Sequence, residues 1–88
     1  MKYQVHVEQV ALKTVKSLDK ATARRIQDRI DELAMDPYDQ RISGPIKMGA
    51  GERKSRVGDW RIIFAVDQAN QIVNVIAVRP RKRAYPKQ

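Results

Sequence analysis

The chain has 88 residues, 42% of them hydrophobic, and contains no cysteine. This length predicts one domain, residues 1–88, that buries about 60–65% of the surface of the unfolded chain. Without cysteine, disulfides and thiolate metal sites are excluded, and we expect neither a metal ion nor another cofactor. The N-terminus lacks the apolar core of a signal peptide, and no apolar run approaches the roughly 18–20 residues that span a bilayer, so we expect a soluble, cytoplasmic protein without a membrane partner.

The net charge at pH 7 is +8, and it is concentrated in the second half of the chain. Residues 1–44 carry eight basic and seven acidic side chains, whereas residues 45–88 carry ten basic and three acidic ones. A strongly basic half suits a polyanionic partner, because each phosphate that it neutralises releases condensed counterions. Such charge is also typical of domains that bind nucleic acid without specificity, so charge by itself does not indicate catalysis.

The first part of the chain predicts a strand followed by two helices. Tyr3, Val5 and Val7 alternate with polar residues, as in a strand with one buried face. Apolar residues then recur at helical spacing in two segments, which Asp19 separates as a turn and N-cap residue, and Pro37 ends the second. The stripes are Ala11, Val15 and Leu18, then Ala23, Ile26, Ile30 and Leu33.

Residues 37–51 are rich in Pro, Gly and polar side chains and predict a loop. Its apolar anchors are Ile42, Ile46 and Met48. Strands are predicted over residues 53–57 and 60–66, around a two-residue turn whose leading Gly58 suits the positive φ of a type II′ hairpin. A last strand over residues 72–78 is closed by Pro80, since proline cannot donate to a sheet ladder.

This element order predicts an α+β fold, a small antiparallel sheet with the helical hairpin packed on one face. The two-residue turn places Arg56 opposite Arg61 and Lys54 on the same face, whereas Val57, Trp60, Ile62 and Phe64 share the face that covers the helices. Two arginines opposite each other cost a few tenths of a kcal/mol or more unless an anion bridges them. The face is therefore either a phosphate site or an ordinary solvated surface.

The C-terminal residues 79–88 carry five basic side chains and no acidic one, together with Tyr85. This combines attraction for phosphate with a ring on which a base can stack, although a disordered basic tail would have the same composition. The hypothesis of a nucleic-acid site makes several basic residues candidates for binding phosphate. They are Arg53, Arg56, Arg79, Lys82 and Arg83.

Residues 54–64, KSRVGDWRIIF, resemble the run of a basic residue, any residue and Arg-Val-Gly-Asp-Tyr-Arg-Ile-Ile-Tyr in the RelE toxin family. The resemblance continues through the strand at residues 75–78 to Arg81 and Tyr85, and the element order along the whole chain agrees. It implies a RelE-like fold and metal-independent messenger RNA cleavage in the decoding site of the ribosome. It also implies that Lys54 lies near the attacking ribose 2′-hydroxyl, that Arg61 and Arg81 contact the scissile phosphate, that Tyr85 stacks on a base, and that Arg56 assists.

Three further residues, Glu52, Trp60 and His6, lie outside the set of predicted site residues. Glu52 stands where some relatives carry a further basic residue, and it is either an exposed charge at the start of a strand or itself the base. Trp60 replaces the commoner Tyr of the family, and strand alternation turns it toward the helices, where it would pack. His6 lies on the polar face of the first strand, and we assign it no role.

Three functions follow as hypotheses. The first is a ribosome-dependent endoribonuclease toxin, and the second is a toxin of the ParE type, which shares the fold but inhibits DNA gyrase without nuclease activity. The third is an inert nucleic-acid binder with a steep salt dependence. For the toxin, the resemblance implies an acidic RelB-like antitoxin as partner, in a heterodimer or heterotetramer, besides the ribosome and its messenger RNA.

Overall fold

The computed structural model describes residues 2–47 and 49–80 of the chain. Within this part, two helices pack on one face of a five-stranded sheet, which confirms the predicted α+β class. The elements are β1 (Gln4–Val7), α1 (Gln9–Lys16), α2 (Lys20–Met35), β2 (Gly44–Pro45), β3 (Arg53–Val57), β4 (Trp60–Asp67) and β5 (Ile72–Pro80).

The strand order in the sheet is β1-β5-β4-β3-β2. The strands from β2 to β5 are antiparallel to their neighbours, but β1 pairs parallel with β5, with Val5 beside Val73 and Val7 beside Val75. The prediction of a wholly antiparallel sheet is therefore wrong at this edge. Parallel neighbours need a long crossover, and everything between β1 and β5, including both helices, provides it.

The two helices form where the apolar stripes predicted them. The Asp19 carboxylate accepts a hydrogen bond from the Thr22 backbone N–H at 3.1 Å, so Asp19 is the N-cap of α2. Hydrogen bonding from the Thr22 side chain, together with this backbone bond, lowers the pKa of Asp19 below its ordinary value, because both favour the charged carboxylate. At the other end Asp36 is extended, with φ −157° and ψ 95°, as expected for the residue before Pro37.

The core lies between α2 and the helical face of the sheet. The α2 stripe of Ile26, Ile30 and Leu33 is buried there with Ala11 of α1. Trp60 is partly buried against this cluster, which confirms its predicted packing role, and His6 is exposed as predicted. The sheet residues of the core cluster are Val57, Ile62, Phe64, Val73, Val75 and Val78.

The hairpin of β3 and β4 has the predicted register, with Val57 opposite Trp60 and Arg56 opposite Arg61. Gly58 adopts a φ of +58°, while Asp59 keeps a negative φ, as a type II′ turn requires. The Arg25 guanidinium lies over this turn, where Arg25 Nη2 would be 3.1 Å from a Cβ added at Gly58. Glycine is favoured here by the backbone conformation, whereas the guanidinium at the end of the exposed Arg25 side chain could move aside.

The segment predicted as a loop contains the short strand β2, in which Gly44 pairs with Lys54. Ile42 packs against the core as an anchor, whereas Met48 lies outside the described residues. Strand β4 extends one residue beyond its predicted end, and β5 extends to Pro80, which lies opposite Trp60. No helix in the described part of the chain is long and apolar enough to cross a membrane.

Two neighbouring isoleucines of β4 test which face of the sheet holds the core. Ile62 is fully buried beneath the helices, whereas Ile63 is half-buried on the opposite face. We expect Ile62→Val to lower the free energy of unfolding by about 0.5–1.5 kcal/mol and Ile63→Val to lower it by less. Urea unfolding followed by circular dichroism measures both values, and an equal loss in the two variants would contradict this packing.

Candidate functional site

Three arginines lie side by side on the face of the sheet opposite the helices, which we call the outer face. Arg56 of β3 is opposite Arg61 of β4, and Arg61 is opposite Arg79 of β5. The sequence predicted the first pair, and the structure adds Arg79 to form a row across three strands. Like charges directly opposite each other destabilise a sheet, so this arginine row is an arrangement that an anion would relieve.

A bulge in β5 brings Arg79 into this row. Ile63 pairs with Ala77 and the next residue, Phe64, pairs with Val75, so Ile76 has no partner opposite it. Because side chains alternate along a strand, an unbroken β5 would put Arg79 on the same face as Val75, toward the helices. The extra residue reverses the alternation and turns Arg79 to the outer face.

Arg61 and Arg79 line a cavity of about 370 Å³ on the outer face, which we call the outer cavity. Its apolar wall includes Ile46 and Ile63, and Glu52 also lines it. Arg61 Nε is buried without a hydrogen-bond partner among residues 2–47 and 49–80. A buried guanidinium N–H that lacks an acceptor is costly, so Arg61 is held at the wall of the outer cavity with one donor that the described residues do not satisfy.

Glu52 occupies a more definite position than an exposed charge at a strand start. It is half-buried, and its Oε1 accepts a hydrogen bond from the Ala50 backbone N–H at 2.6 Å. A Cβ added at Gly49 would lie only 2.7 Å from the same oxygen. Glu52 therefore holds the turn before β3 and presents a carboxylate to the cavity that contains Arg61 and Arg79.

Lys54 and Arg56 line a second cavity, of about 260 Å³, at the open edge of β3. Its other basic residues are Arg29 of α2 and Arg41 of the segment before β2, and we call it the edge pocket. Arg29 Nη1 donates to Ser55 Oγ at 2.9 Å and to the Arg56 carbonyl at 2.7 Å. These bonds fix the Arg29 guanidinium at the strand edge beside Arg56.

The predicted site residues thus fall into three groups. Lys54, Arg56, Arg61 and Arg79 are together on the outer face or at its edge. Arg53 lies on the helical face, where its Nε donates to Ser43 Oγ at 2.9 Å and its guanidinium lies 5.0 Å from the centre of the Tyr38 ring. The candidates beyond Pro80 lie outside the described residues; they are Arg81, Lys82, Arg83 and Tyr85.

Arg29 and Arg41 are basic residues of the site that the sequence did not single out. Arg29 is three residues after Ile26 and next to Ile30, both of which are buried in α2. This position beside the buried stripe of the helix is the sequence signal that could have placed Arg29 near the sheet. Arg41 comes from a loop, and it donates to both carboxylate oxygens of Asp39, at 3.1 and 2.8 Å. These bonds lower the pKa of the Asp39 carboxyl below its ordinary value.

Residues 2–47 and 49–80 contain no group of three or more His, Asp or Glu side chains that could hold a metal ion. The chemistry that the described groups can supply is binding and stabilisation of negative charge by guanidinium groups, with Lys54 and Glu52 available to exchange protons.

The hydrogen bonds from Arg29 to β3 predict a stability difference between two arginines of α2. Arg29→Ala would leave Ser55 Oγ and the Arg56 carbonyl without this donor, and we expect a loss of about 1–3 kcal/mol in the free energy of unfolding. The Arg24 side chain is 80% exposed, and Arg24→Ala should change that free energy by less than about 0.5 kcal/mol. Urea unfolding followed by Trp60 fluorescence compares the two, and similar losses would refute the structural role of Arg29.

A sequence model of the family described as the ParE toxin of the type II toxin-antitoxin system, parDE, matches residues 5–85. The comparison with curated proteins gives no match. Among solved structures, the archaeal RelE-RelB complex from Pyrococcus horikoshii OT3 matches with a TM-score of 0.82 and 26% sequence identity, over 96% of this chain and 100% of that one.

Two bacterial toxin-antitoxin complexes have the same fold. The RelBE2 complex from Mycobacterium tuberculosis matches with a TM-score of 0.80 and 20% identity, over 92% of this chain and 100% of that one. The intact E. coli RelBE complex matches with a TM-score of 0.79 and 18% identity, over 92% and 99%. The family match spans most of the chain, and these solved structures match its fold over nearly their full length. The chain therefore belongs to the ParE toxin family of type II toxin-antitoxin systems, within the RelE/ParE superfamily.

Proposed function

We propose that this toxin is a ribosome-dependent endoribonuclease that cleaves messenger RNA without a metal ion. The observation that carries the proposal is the arginine row, in which Arg56, Arg61 and Arg79 lie opposite one another across three strands. A structural role would not require three adjacent cations on one face of a sheet. A phosphodiester bound to the row would relieve their mutual repulsion.

The reaction would be attack of a ribose 2′-hydroxyl on the adjacent phosphorus, which forms a 2′,3′-cyclic phosphate as the bond to the 5′-oxygen of the next nucleotide breaks. The 2′-hydroxyl proton passes to a base, and the leaving 5′-oxygen takes up a proton to become a 5′-hydroxyl. Negative charge develops on the phosphorane oxygens during this step, and fixed guanidinium groups stabilise it where water is excluded. Arg61 is suited to this because it is partly buried and lines the outer cavity. The resemblance adds Arg81 as a second contact to the scissile phosphate and Tyr85 as a stacking partner for a base, with Lys82 and Arg83 as further phosphate contacts.

Two groups are candidates for the base that removes the 2′-hydroxyl proton. The resemblance implies Lys54, which lines the edge pocket, whereas Glu52 lines the outer cavity with Arg61 and Arg79. Comparing the pH dependence of cleavage by Lys54→Met and Glu52→Gln distinguishes them. The variant that lacks the base should lose the acidic limb of the rate profile, and the other should retain it.

We also propose a RelB-type acidic antitoxin as the partner, in a heterodimer or heterotetramer in the cytoplasm. The three solved structures named above are complexes of a toxin with its antitoxin. Carboxylates of an antitoxin segment can take the place of phosphates on the arginine row. A segment that becomes ordered on binding can cover a large surface at modest affinity, which suits an inhibitor that proteolysis removes.

The central prediction concerns Arg61 and Arg79. Each should contact the reacting phosphate, and the loss of one such donor costs roughly 100-fold to 1,000-fold in rate. We therefore expect Arg61→Ala and Arg79→Ala to reduce cleavage on programmed ribosomes by about 100-fold or more. Primer extension on the messenger RNA measures the rate and maps the cut, with Arg24→Ala as the matched control and a reaction without ribosomes as the second control.

The decisive contrary result would be cleavage retained by an Arg61→Ala/Arg81→Ala double variant, since both residues are proposed to contact the scissile phosphate. Absence of cleavage by the folded wild-type protein would also reject the proposal.

The second candidate function is inhibition of DNA gyrase, because the matching family model describes ParE toxins. In that case the basic sheet would be a docking surface for a protein, and cleavage of RNA would be absent. A supercoiling assay with purified gyrase, in parallel with the primer-extension assay, separates the two functions. Inhibition of gyrase with intact messenger RNA would favour this second candidate.

A further inference from the structure

The edge pocket is a concave basic site distinct from the outer cavity. It brings together residues from three parts of the fold: Arg29 from α2, Arg41 and Ser43 from the segment before β2, and Lys54 and Arg56 from β3. None of the residues that line it in the described chain is acidic. Its volume of about 260 Å³ leaves room for a phosphodiester group together with a few water molecules, each of which takes up roughly 30 Å³.

One of the four cations in the pocket is held in place by other groups, and a second is ion-paired while its side chain remains 87% exposed. Arg29 donates to Glu32, Ser55 and the Arg56 carbonyl, and its side chain is only 24% exposed. Arg41 pairs with Asp39 through two hydrogen bonds. Lys54 and Arg56 form no ion pair within residues 2–47 and 49–80. The pocket therefore combines oriented donors with uncompensated positive charge.

The backbone adds a further donor to the pocket. This donor is the Arg56 backbone N–H. The Arg56 carbonyl points away from β4 toward Arg29, and in an antiparallel strand the N–H of a residue points to the same side as its carbonyl. Strand β2 pairs only with Arg53 and Lys54, so it does not cover this part of the β3 edge. Charged side chains alone would protect an open edge from aggregation, but that role does not require a concave pocket or a fixed guanidinium.

Arg56 links the edge pocket to the arginine row, because it belongs to both. It lies on β3, two strands away from Arg79 on β5, which corresponds to about 10 Å across the sheet. One nucleic-acid chain that places a phosphate between Arg61 and Arg79 can therefore reach the pocket within a few nucleotides.

We propose that the edge pocket binds a second phosphate of the RNA chain, a few nucleotides from the scissile one. This inference rests on the proposed endoribonuclease function and deepens it, because it gives Arg41 of the pocket a role in substrate binding, while Lys54, which also lines the pocket, remains a candidate for the base. Arg41 distinguishes the edge pocket from the outer cavity, since it lines the first and not the second. Arg41 is therefore a positioning residue for substrate, which acts on affinity and leaves the rate at saturation unchanged.

The experiment measures single-turnover cleavage on programmed ribosomes as a function of toxin concentration. Loss of a charge-assisted contact should raise the half-saturating concentration of Arg41→Gln by about fivefold to thirtyfold, with the maximal rate unchanged. Arg24→Gln is the matched control, because the Arg24 side chain is 80% exposed on α2 and should leave both quantities unchanged. Equal behaviour of Arg41→Gln and Arg24→Gln would overturn the proposal, as would a loss confined to the maximal rate.

A second measurement identifies the phosphate. Uncharged methylphosphonate linkages are placed one at a time on either side of the cleavage site in the messenger RNA. At one position, the methylphosphonate should raise the half-saturating concentration of the wild-type protein as much as the Arg41→Gln change does. The same methylphosphonate should not raise the half-saturating concentration of the Arg41→Gln variant any further. Additive effects at every position would overturn the proposal.

Binding without cleavage separates this inference from the proposed function. A messenger RNA with 2′-deoxyribose at the cleavage site cannot react, and its ribosome complex can be titrated with labelled toxin. Weaker binding by Arg41→Gln than by Arg24→Gln supports the pocket even if the wild-type protein cleaves nothing. If Arg41→Gln instead weakens binding only to a purified acidic antitoxin, the pocket holds a protein carboxylate and the proposal is wrong.

Discussion

The extra residue in β5 is the constraint on which the site depends. The strand has to satisfy two demands, since Val75 and Val78 both belong to the core and Arg79 belongs to the outer face. Strict alternation cannot meet them, because positions 75 and 78 would then lie on opposite faces. The bulge at Ile76 resolves the conflict by shifting the alternation by one residue. The same irregularity therefore completes the core with Val78 and completes the arginine row with Arg79.

The sheet separates stability from chemistry. Its helical face is mainly apolar and is covered by Ala11 of α1 and by Ile26, Ile30 and Leu33 of α2, so it supplies most of the hydrophobic stabilisation. The outer face carries the arginine row, with Glu52 at its margin. Because consecutive residues of one strand serve opposite faces, β4 contributes Arg61 to the site and Ile62 to the core from adjacent positions. The positions of the site residues are thus fixed by the packing of the core behind them.

The arginines that the structure describes fall into two groups, those whose guanidinium groups contact other parts of the fold and those whose guanidinium groups lack such partners among the described residues. Arg25 covers the Gly58 turn, Arg29 supports the edge of β3, and Arg53 binds Ser43 and lies against the Tyr38 ring. These arginines contribute to the structure as well as to the charge. Arg61 has a buried Nε without an acceptor in the described part of the chain. The net charge of +8 therefore does not measure the strength of the site, which depends on the few cations that the fold leaves available.

The sequence by itself determined the element order, the stripes of α2, the Gly58 turn and the register that sets Arg56 opposite Arg61. These features follow from local rules, because periodicity, proline and glycine act within a few residues of themselves. Only the tertiary structure decided that β1 lies parallel to β5 and that Arg79 joins the row. These outcomes depend on a parallel pairing between the two ends of the described chain and on a bulge at Ile76 between two positions that the core requires. No local pattern specifies them, because each is fixed by the packing of a surface that forms only when the chain has folded.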